Sequence, residues 1–375
     1  MRHFNIAALT LLALVLGVST SPAEEKSIRV GVITNGDAPH LGIYLSTVAR
    51  AAGVSKVAFV DSSGKHFKRA QQAYKSKLDK AYRNDSLMYQ QFKPDLVVIA
   101  LPAHLAPTAI HNALKVDCHV VAEKPACVRV GHFAELVRIA KRKKKMLMLS
   151  LPSRVSPRTL RARQIIKQGL IGKLYSVQVL SAKDQARLTR PSYQKSWFAY
   201  KNKSGGGHLA WLAIHQLDQA LFIVGQPVTK VAAFCKNVGG QPVQIEDAEA
   251  LTMQFKNGMV GTLHGGYFLK SGSMEVGTTI WGSHGWIRMS SHRGPRGTKR
   301  SFQWFSTHPK APKGLQTEDP TSKVDGYQAF IQSAIDAARG LRPAPLSPED
   351  SLNVLKVIHA AYRSSESGIV QKLGK

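Results

Sequence analysis

The first half of the chain alternates short, continuous apolar runs with segments in which apolar residues recur every three or four positions. Runs of this kind are typical of strands buried on both faces, and the intervening periodicity is typical of amphipathic helices. The pattern predicts strands at 27–33, 56–60, 95–101 and 119–122, and helices at 41–52 and 104–115. Elements in this order favour a parallel, doubly wound sheet in an α/β fold.

After about residue 150 the pattern changes to an alternation of apolar and polar positions. It predicts a helix at 158–168 and strands at 174–180, 231–236, 248–255, 259–267 and 278–281. Asn257 and Gly258 separate two of these strands, and this dipeptide favours a tight hairpin turn. We therefore predict a second α/β domain with a large, open, mostly antiparallel sheet.

The chain ends in a predicted helix that begins near Ser347. Ser347 is a suitable cap, Pro348 fits the first turn, and two acidic residues follow at the positive end of the helix dipole. The apolar spacing predicts a buried stripe made of Leu352, Leu355, Ile358 and Tyr362.

Residues 1–23 have the pattern of a secretory signal peptide. Arg2 and His3 give a basic start, 6–18 form an apolar core, and 21–23 (Ser-Pro-Ala) give a cleavage site of small residues. A membrane anchor is the alternative, but the apolar core is shorter than the roughly 20 residues that span a bilayer. We expect export by a Sec-type signal to the periplasm or the exterior, and no membrane span after cleavage.

Composition and charge narrow the class of protein. A chain of 375 residues with 43% hydrophobic residues can form two domains with buried cores. The formal net charge of +29 favours an anionic partner such as an anionic polysaccharide; a generally basic surface without a partner is the alternative. The charge concentrates at 141–145 and in a predicted loop at 293–313 with interleaved aromatic residues, Phe302, Trp304 and Phe305. Neither stretch has a nucleic-acid-binding motif, so no specific nucleic acid is expected.

The cysteines limit the covalent chemistry. Cys118, Cys127 and Cys235 are an odd number, which excludes a complete set of disulfides. We expect buried, unpaired thiols, and the cysteine spacing does not indicate a metal site.

Two motifs carry candidate chemistry. The tripeptide 123–125 (Glu-Lys-Pro) follows a predicted strand, and the glycine triplet at 205–207 precedes His215 and Asp218. A lysine at a strand end and a histidine on a helix can form a proton-transfer pair. A dehydrogenase uses such a pair to remove a hydroxyl proton while the neighbouring carbon gives up a hydride. For His215 taken alone, a buried structural histidine is the alternative.

Together these motifs resemble the Gfo/Idh/MocA family, which includes glucose–fructose oxidoreductase and inositol dehydrogenase. The tripeptide 123–125 is similar to the family's Glu-Lys-Pro signature, 205–218 to its glycine triplet, histidine and aspartate, and 360–368 to its closing helix. The resemblance covers 28–368. The pattern and the resemblance together imply a Rossmann dinucleotide-binding domain at 24–150, a substrate and oligomerisation domain at 151–345, and a C-terminal helix at 346–375 that packs back on the first domain.

The resemblance also implies roles for individual residues. His215 would take the hydroxyl proton and Lys124 would donate hydrogen bonds to the same oxygen. Asp218 would orient the histidine, with a purely structural hydrogen bond as the alternative. Cofactor contacts are implied for Gly36, Asp61, Pro102, His104, Glu123 and Lys124, and contacts to a sugar-like substrate for Arg154, Trp197 and Trp211.

The segment after the first predicted strand departs from the family pattern. Gly-x-Gly-x-x-Gly is expected there, because glycine allows a tight turn and a close approach to the pyrophosphate, yet 34–39 (Thr-Asn-Gly-Asp-Ala-Pro) keep only Gly36. Asp37 would bring a carboxylate near the pyrophosphate or cap the next helix with Pro39 in its first turn. Asp61, after the second strand, would hold the ribose and favour NAD over NADP; an ordinary turn aspartate is the alternative.

The second departure is Trp211, one helical turn before His215, where the family usually has an aspartate. Indole cannot accept a proton, but its face can stack on a sugar ring. The sequence therefore predicts that Trp211 binds substrate and does not orient the histidine.

Two functions follow from these observations. The leading hypothesis is an exported, homo-oligomeric NAD-dependent oxidoreductase that acts on the CH–OH group of a sugar, polyol or related hydroxy compound. The alternative is an exported, non-catalytic carbohydrate- or polyanion-binding protein that kept the fold, lost the redox step and binds no cofactor.

Overall fold

The computed structural model describes residues 27–295, 297–321 and 324–374. The predicted signal peptide at 1–23 lies outside this part of the chain. Over these ranges, no helix is both long enough and apolar enough to cross a bilayer. The described residues form one parallel and one largely antiparallel sheet, each with helices packed against it, so the predicted α/β fold class is confirmed.

The first sheet has six parallel strands in the order β3-β2-β1-β4-β5-β6. These strands, β1 to β6, are Ile28–Thr34, Val54–Asp61, Leu78–Tyr82, Leu96–Ile99, His119–Ala122 and Leu147–Leu149. The sequence prediction missed β3 and β6. The first of these is an edge strand with mostly exposed or half-buried residues, and so gives no apolar run; the second is apolar but has only three residues.

A helix follows each of the first five strands. These helices, α1 to α5, are Leu41–Arg50, Phe67–Tyr74, Asp85–Gln91, Ala106–Lys115 and Val130–Arg142. Because all six strands are parallel, the carboxyl ends of the adjacent strands β1, β4 and β5 open at one edge of the sheet. In a doubly wound sheet this edge is where ligands bind.

The second sheet has nine strands in the order β14-β13-β12-β11-β7-β10-β9-β8-β15. These strands, β7 to β15, are Leu174–Asp184, Val228–Lys236, Ala248–Phe255, Val260–Leu269, Met274–Gly282, Gly285–Gly294, Gly297–Ser306, Gln316–Glu318 and Gln371–Lys372. All neighbouring pairs are antiparallel except β7 with β10. The predicted hairpin is present: the N–H of Phe255 donates to the carbonyl of Met259 at 2.9 Å.

The prediction of a basic loop at 293–313 is wrong. Much of it is strand β13, which pairs with β12 over ten residues. Phe302 and Trp304 are each 1% exposed, because they lie on the face of β13 that packs into the core. The exposed first half of β13, which includes Lys299 and Arg300, made the segment resemble a polar loop, although Phe302 and Trp304 have the two-residue spacing of a strand face.

The remaining helices, α6 to α11, are Pro157–Lys167, Pro191–Gln194, Lys201–Ser204, Ile214–Val224, Gly326–Ala338 and Pro348–Ser367. A π-helical turn, Leu209–Ala213, leads directly into α9. Helix α9 lies against strand β7, where the Oγ of Ser181 donates to the Oε1 of Gln216 at 3.2 Å.

The C-terminal helix α11 begins with a capping box between Ser347 and Asp350, as the sequence indicated. Two of its serine side chains accept hydrogen bonds from backbone N–H groups, one in each sheet. The Oγ of Ser351 accepts from Leu149 N at 3.2 Å, and the Oγ of Ser364 accepts from Ala233 N at 3.1 Å. The helix therefore joins the two sheets. Of its predicted stripe, Leu355, Ile358 and Tyr362 are buried and Leu352 is half-buried.

All three cysteines are free. Cys118 and Cys127 are buried and Cys235 is half-buried. Burial raises the pKa of the Cys118 and Cys127 thiols to about 12, so both remain protonated and poorly reactive at neutral pH.

Candidate active site

Lys124 lies at the carboxyl end of β5, directly after Glu123. The side chain is 1% exposed. Its Nζ donates to the main-chain oxygen of Trp211 at 2.6 Å and lies 3.5 Å from the Oε1 of Glu123. The ammonium also lies 4.6 Å from the centre of the Trp211 ring, a cation–π distance. These contacts connect the parallel sheet to the π-helical turn that precedes α9.

Burial lowers the pKa of Lys124, and the carboxylate of Glu123 opposes this shift. The positive charge of Arg187 lowers the pKa further. A lysine in this setting is held as a cation by one carboxylate but is poorly solvated, so it is a strong hydrogen-bond donor towards an oxygen that gains negative charge.

His215 is in the first turn of α9, four residues after Trp211. The side chain is half-buried, and its ring has no hydrogen-bond partner among the residues that the structure describes. Burial and the nearby charge of Lys124 lower the pKa of His215 well below 6.5, so the imidazole is neutral at neutral pH and can accept a proton. The structure thus brings Lys124 and His215 together, as the two motifs predicted.

Glu123 is the anchor of a polar cluster that the sequence did not reveal. The hydroxyl of Tyr44 donates to its Oε2 at 2.5 Å, and the Nδ1 of His40 lies 3.2 Å from the same oxygen. Burial raises the pKa of Glu123, but the charge of Lys124 and the bonds from His40 and Tyr44 outweigh it and hold the pKa at about 2. A sequence feature that could have indicated this cluster is the position of His40, directly before α1.

We expect Glu123→Gln to make the free energy of unfolding less dependent on pH in the acid range. A carboxyl with a pKa depressed from 4.5 to about 2 stabilises the fold above pH 4.5, and this stabilisation is lost as the pH falls towards 2. The difference in unfolding free energy between wild type and variant should be ~3 kcal/mol at pH 6 and should vanish near pH 2. Urea unfolding at a series of pH values measures it, with the exposed Glu366→Gln as control. A constant difference at all pH values would contradict this account.

The last two glycines of the triplet are required because other groups occupy the space that their side chains would fill. A Cβ on Gly206, whose φ is +150°, would lie 2.0 Å from the hydroxyl oxygen of Tyr362. A Cβ on Gly207 would lie 2.1 Å from the carbonyl oxygen of Glu246. The triplet therefore lets the chain pass between α11 and the segment before β9, and so sets the position of α9 and His215.

Beside the triplet lies a second buried polar cluster that the sequence analysis missed. His208 and Glu249 are fully buried, with Nδ1 2.6 Å from Oε1. Burial lowers the pKa of His208 to about 3 and raises the pKa of Glu249, so the pair shares one proton and carries little net charge. The carboxylate of Glu246 accepts from the N–H of Gly207 at 2.7 Å and from the hydroxyl of Tyr362 at 2.8 Å. Burial, and the charge of Glu249, raise the pKa of Glu246 to about 7.

Gly36 lies in the turn between β1 and α1, at the edge where β1, β4 and β5 end. A Cβ there would lie 3.1 Å from the Oγ of Ser63, so only a very small residue fits without a shift. Helix α1 begins at Leu41 with His40 as its N-cap and no side-chain cap. Capping of this helix by Asp37, with Pro39 in the first turn, is therefore wrong: Asp37 is exposed and Pro39 precedes the cap.

Asp61 does not offer its carboxylate to a ligand. The side chain is fully buried; its Oδ1 accepts from the N–H and the Oγ of Ser63, at 3.0 and 2.7 Å, and its Oδ2 accepts from His66 N at 2.9 Å. Burial raises the pKa of Asp61, but these hydrogen bonds outweigh it and lower the pKa. The predicted ribose contact is replaced by the alternative, an aspartate that closes its own turn.

Pro102 and His104 follow β4 and so lie at the same edge of the sheet as Gly36 and Glu123. Pro102 is buried. His104 is exposed, and its backbone N–H donates to the carbonyl of Lys203 at 3.2 Å. The structure therefore gathers four of the predicted cofactor residues at one edge, together with Lys124.

Arg154 and Asp218 contradict their predicted roles. The guanidinium of Arg154 forms a buried, bidentate ion pair with Asp218, with Nη2 2.7 Å from Oδ1 and Nε 3.0 Å from Oδ2. Asp218 is fully buried and Arg154 is 5% exposed, so neither is available to His215 or to a substrate. Burial raises the pKa of Asp218, although Arg154 opposes the shift. The structural alternative for Asp218 is the one observed.

The face of Trp211 is also not available to stack on a sugar ring, contrary to the sequence prediction. Trp211 is 3% exposed, its indole N–H donates to the carbonyl of Ser204 at 3.0 Å, and the Lys124 ammonium lies over its ring. Trp197 packs edge-on against it at 5.1 Å and donates its own indole N–H to the carbonyl of Asp37 at 3.0 Å. Trp197 is half-buried and thus connects the second domain to the turn that holds Gly36.

A cavity of about 620 Å³ lies elsewhere, between the end of α9 and the start of α11. Its lining includes Arg154, Asp218 and Phe222 but neither Lys124 nor His215. The chemistry-bearing residues lie where the carboxyl end of β5 meets the π-helical turn that leads into α9. We therefore assign the candidate active site from the convergence of groups and not from cavity size.

Comparison with known proteins extends these observations. Residues 28–151 match the sequence profile described as "Oxidoreductase family, NAD-binding Rossmann fold", and residues 159–288 match that of the "GFO/IDH/MocA C-terminal domain". An uncharacterized oxidoreductase of Schizosaccharomyces pombe is 25% identical over 310 residues, which cover 73% of this chain and 79% of that protein. The D-glucoside 3-dehydrogenase of Escherichia coli is 28% identical over 182 residues, 44% of this chain and 50% of the relative.

Solved structures share the fold over nearly the whole chain. The WlbA dehydrogenase from Bordetella pertussis, in complex with NADH and UDP-GlcNAcA, superimposes with a TM-score of 0.77 at 20% identity and covers 93% of this chain and 99% of that chain. The aldose-aldose oxidoreductase from Caulobacter crescentus gives a TM-score of 0.75 at 18% identity over 92% and 100% of the two chains. At these identities the likeness shows the fold alone.

Proposed function

The chain belongs to the GFO/IDH/MocA family of oxidoreductases with an NAD-binding Rossmann fold, and on this premise we propose that it oxidises a secondary alcohol of a sugar, polyol or related hydroxy compound. NAD is the cofactor of the family. The observation that carries the proposal is the convergence of Lys124 and His215 from separate domains, with a neutral imidazole whose ring makes no hydrogen bond with the described part of the chain. Membership of an oxidoreductase family does not favour the non-catalytic alternative.

The turn between β1 and α1 fits a dinucleotide in spite of its single glycine. Helix α1 has no side-chain cap, and the N–H groups of Leu41 and Gly42 make no hydrogen bond with the described residues, so they can bind phosphate; the N–H of Ile43 already donates to the carbonyl of His40 at 2.9 Å. Gly36, Pro102 and Glu123 lie at the same edge of the sheet and would line the rest of the site. Asp61 would not contribute, because its oxygens are already bonded. NAD supplies the hydride acceptor when it is bound.

The chain's own residues would manage the proton. His215 takes the proton of the substrate hydroxyl while the C–H bond of the same carbon breaks as a hydride and the C=O bond forms. The Nζ of Lys124 already donates to the Trp211 carbonyl and lies beside Glu123; its third N–H would donate to that oxygen and stabilise the negative charge that it gains in the transition state. The sugar class is supported by relatives such as the D-glucoside 3-dehydrogenase and the levoglucosan dehydrogenase of Pseudarthrobacter phenanthrenivorans.

Two measurements test this function. Calorimetric titration of NAD⁺ into the purified chain should give a saturable isotherm, and NADH absorbance should rise when a panel of sugars and polyols is added with NAD⁺. If NAD⁺ does not bind even at millimolar concentration, the oxidoreductase function is excluded for this chain.

We expect Asp37→Asn to tighten NAD⁺ binding by about 2- to 5-fold, because it removes an exposed carboxylate from the turn that faces the pyrophosphate. The gain should shrink at high salt, since the repulsion is screened. Asp79→Asn, which removes an exposed carboxylate from the edge strand β3 of the same domain, is the matched control and should leave the affinity unchanged. Equal affinities of wild type and Asp37→Asn at low salt would remove Asp37 from the site.

We further propose that the protein is exported and forms homo-oligomers. Export is supported by the pattern at 1–23, and a mature N-terminus after residue 23, identified by mass, would establish it. Association through the open face of the second sheet is supported by Phe234 and Val260, which are 74% and 55% exposed. Light scattering of the purified protein tests it, and a monomer at micromolar concentration would contradict it. Binding of anionic polysaccharide to the basic surface remains a proposal that rests on the net charge of +29.

A further inference from the structure

Two cations face the candidate active site from the second domain without an acidic partner. Lys183 is the penultimate residue of β7, and Arg187 follows that strand by three residues. Both side chains are half-buried. Among the residues that the structure describes, neither forms an ion pair, and an unpaired cation is less favourable the more it is removed from water.

Strand geometry places Lys183 on the same side of the sheet as His215. Ser181 contacts Gln216, the residue next to His215 on α9. Because successive side chains of a strand point to opposite faces, Lys183 shares the face of Ser181, two residues earlier. The charge of Lys183 also contributes to lowering the pKa of His215, so the two groups lie within electrostatic range.

Arg187 extends this positive surface towards the glycine triplet. Its guanidinium carbon lies 5.7 Å from the centre of the Tyr267 ring, and that ring packs edge-on against His208 at 5.0 Å. On the other side of Lys183, the register of β7, β11 and β12 aligns Lys183 with Met274 and Met274 with Arg293, so Arg293 lies on the same face two strands away. Lys183 and Arg293 thus lie on one face of the second sheet, and Arg187 lies just beyond the end of β7.

The neighbouring carboxylates do not neutralise these cations. Asp184 points to the opposite face, and its carboxylate accepts from the backbone N–H groups of Ala186 and Gly272. Glu249 shares a proton with His208. Glu246 is bonded to main-chain N–H groups beside the triplet, and burial raises its pKa to about 7.

The remaining carboxylate near the site is Glu123, which is shared by Lys124, His40 and Tyr44. The positive charge at Lys183 is correspondingly unfavourable: burial, with the charges of Arg293 and Arg187, lowers its pKa to about 8. An anion bound between Lys183 and Arg187 would relieve their like-charge repulsion and give both cations a charged hydrogen-bond acceptor.

We propose that the substrate of this site is a sugar that carries an anionic group, a carboxylate or a sulfate ester, and that Lys183 and Arg187 bind this group while the hydroxyl to be oxidised lies at His215. The proposal rests on the proposed function and specifies its substrate. It assigns recognition of the anion to Lys183 and Arg187 and does not depend on the basic outer surface. The dinucleotide phosphates would be held by a different element, the turn between β1 and α1, and the NAD⁺ affinity of the variants tests whether the two sites are distinct.

The test compares matched substrates and matched variants. With NAD⁺ saturating, kcat/KM is measured for methyl glucoside, methyl glucuronide and glucose 6-sulfate. At least one anionic sugar should exceed the neutral one by 10-fold or more. Lys183→Met and Arg187→Gln should each lower kcat/KM for that anionic sugar by about 10- to 100-fold, which is the size of a lost charged hydrogen bond, and should change the neutral sugar less than about 3-fold.

The controls separate an anion site from a general effect of charge. Lys256→Met removes an exposed cation from the β9–β10 turn of the same sheet and should leave kcat/KM unchanged for both the anionic and the neutral sugar. The Kd of NAD⁺ should be the same in all variants. Lys183→Met should fold at least as well as wild type, because it removes a poorly solvated charge; the thermal midpoint checks this.

Several results would overturn the proposal. These are equal kcat/KM for neutral and anionic sugars in the wild type, a parallel loss for both classes in Lys183→Met, or weaker NAD⁺ binding in that variant. If no sugar is oxidised, the proposed function fails separately. Calorimetric binding of methyl glucuronide in the presence of NAD⁺, lost in Lys183→Met, would still support the anion site, and unchanged or absent binding would exclude it.

Discussion

His215→Asn is expected to lower kcat for sugar oxidation by about 10²- to 10⁴-fold, the usual contribution of a positioned general base. Asparagine keeps a polar side chain at this position but cannot take a proton at neutral pH. The ring of His215 makes no hydrogen bond with the described residues, so the substitution should not disturb the fold. Its pKa is lowered well below 6.5, so the wild-type rate should not rise between pH 6 and 8 on account of this group.

Steady-state kinetics with the best substrate of the panel, together with NAD⁺ titration and a thermal midpoint, measure this effect. The Kd of NAD⁺ and the midpoint should remain those of the wild type. His111→Asn, a substitution at an exposed histidine of α4, is the matched control and should keep full activity. If His215→Asn retained more than about a tenth of the wild-type kcat, another group would have to be the base.

Asp218→Ala should destabilise the protein by about 3–5 kcal/mol, because it leaves the guanidinium of Arg154 buried without its main partner. Arg154 is 5% exposed, and its remaining contact, to Asp350 at 3.2 Å, involves a carboxylate that is 44% exposed. The double variant Arg154→Met with Asp218→Leu removes both charges and should recover most of the loss.

Urea unfolding of the single and double variants measures the coupling between Arg154 and Asp218. Asp117→Ala, which breaks the exposed ion pair with Lys143, is the matched control and should leave the midpoint nearly unchanged. Below its melting temperature, the double variant should retain kcat within about 3-fold, since neither side chain contacts His215. A stable Asp218→Ala protein with a 100-fold loss of kcat would restore the orienting role that the sequence suggested.

Much of the fold could be predicted because its signals are local. Continuous apolar runs indicated four of the six parallel strands, and alternation with an Asn-Gly turn indicated the antiparallel sheet. The signals were absent where an element has little apolar surface, as in α2, which buries only Ala70 and Tyr74. The strand β13 was missed for a related reason: its first half, with Lys299 and Arg300, is exposed and polar, and only its second half shows the alternation.

The candidate site was predictable only in part. Glu123, Lys124 and the glycine triplet belong to short motifs, and each motif lies on one element, so the sequence located them. Asp61 and Asp218 are also at the positions that a motif would give them, yet their oxygens are bonded to Ser63 and His66 in one case and to Arg154 in the other. A sequence shows that a carboxylate is present but not whether it is free.

The order of the elements, the family, and the two segments that supply Lys124 and His215 could be read from the sequence, because each of these depends on spacing along the chain. The availability of the polar groups to a ligand could not, because their partners are far away in sequence: Lys124 bonds to Trp211, 87 residues on, and Arg154 to Asp218, 64 residues on. The same reason applies to Lys183, which has no acidic partner among the residues that the structure describes.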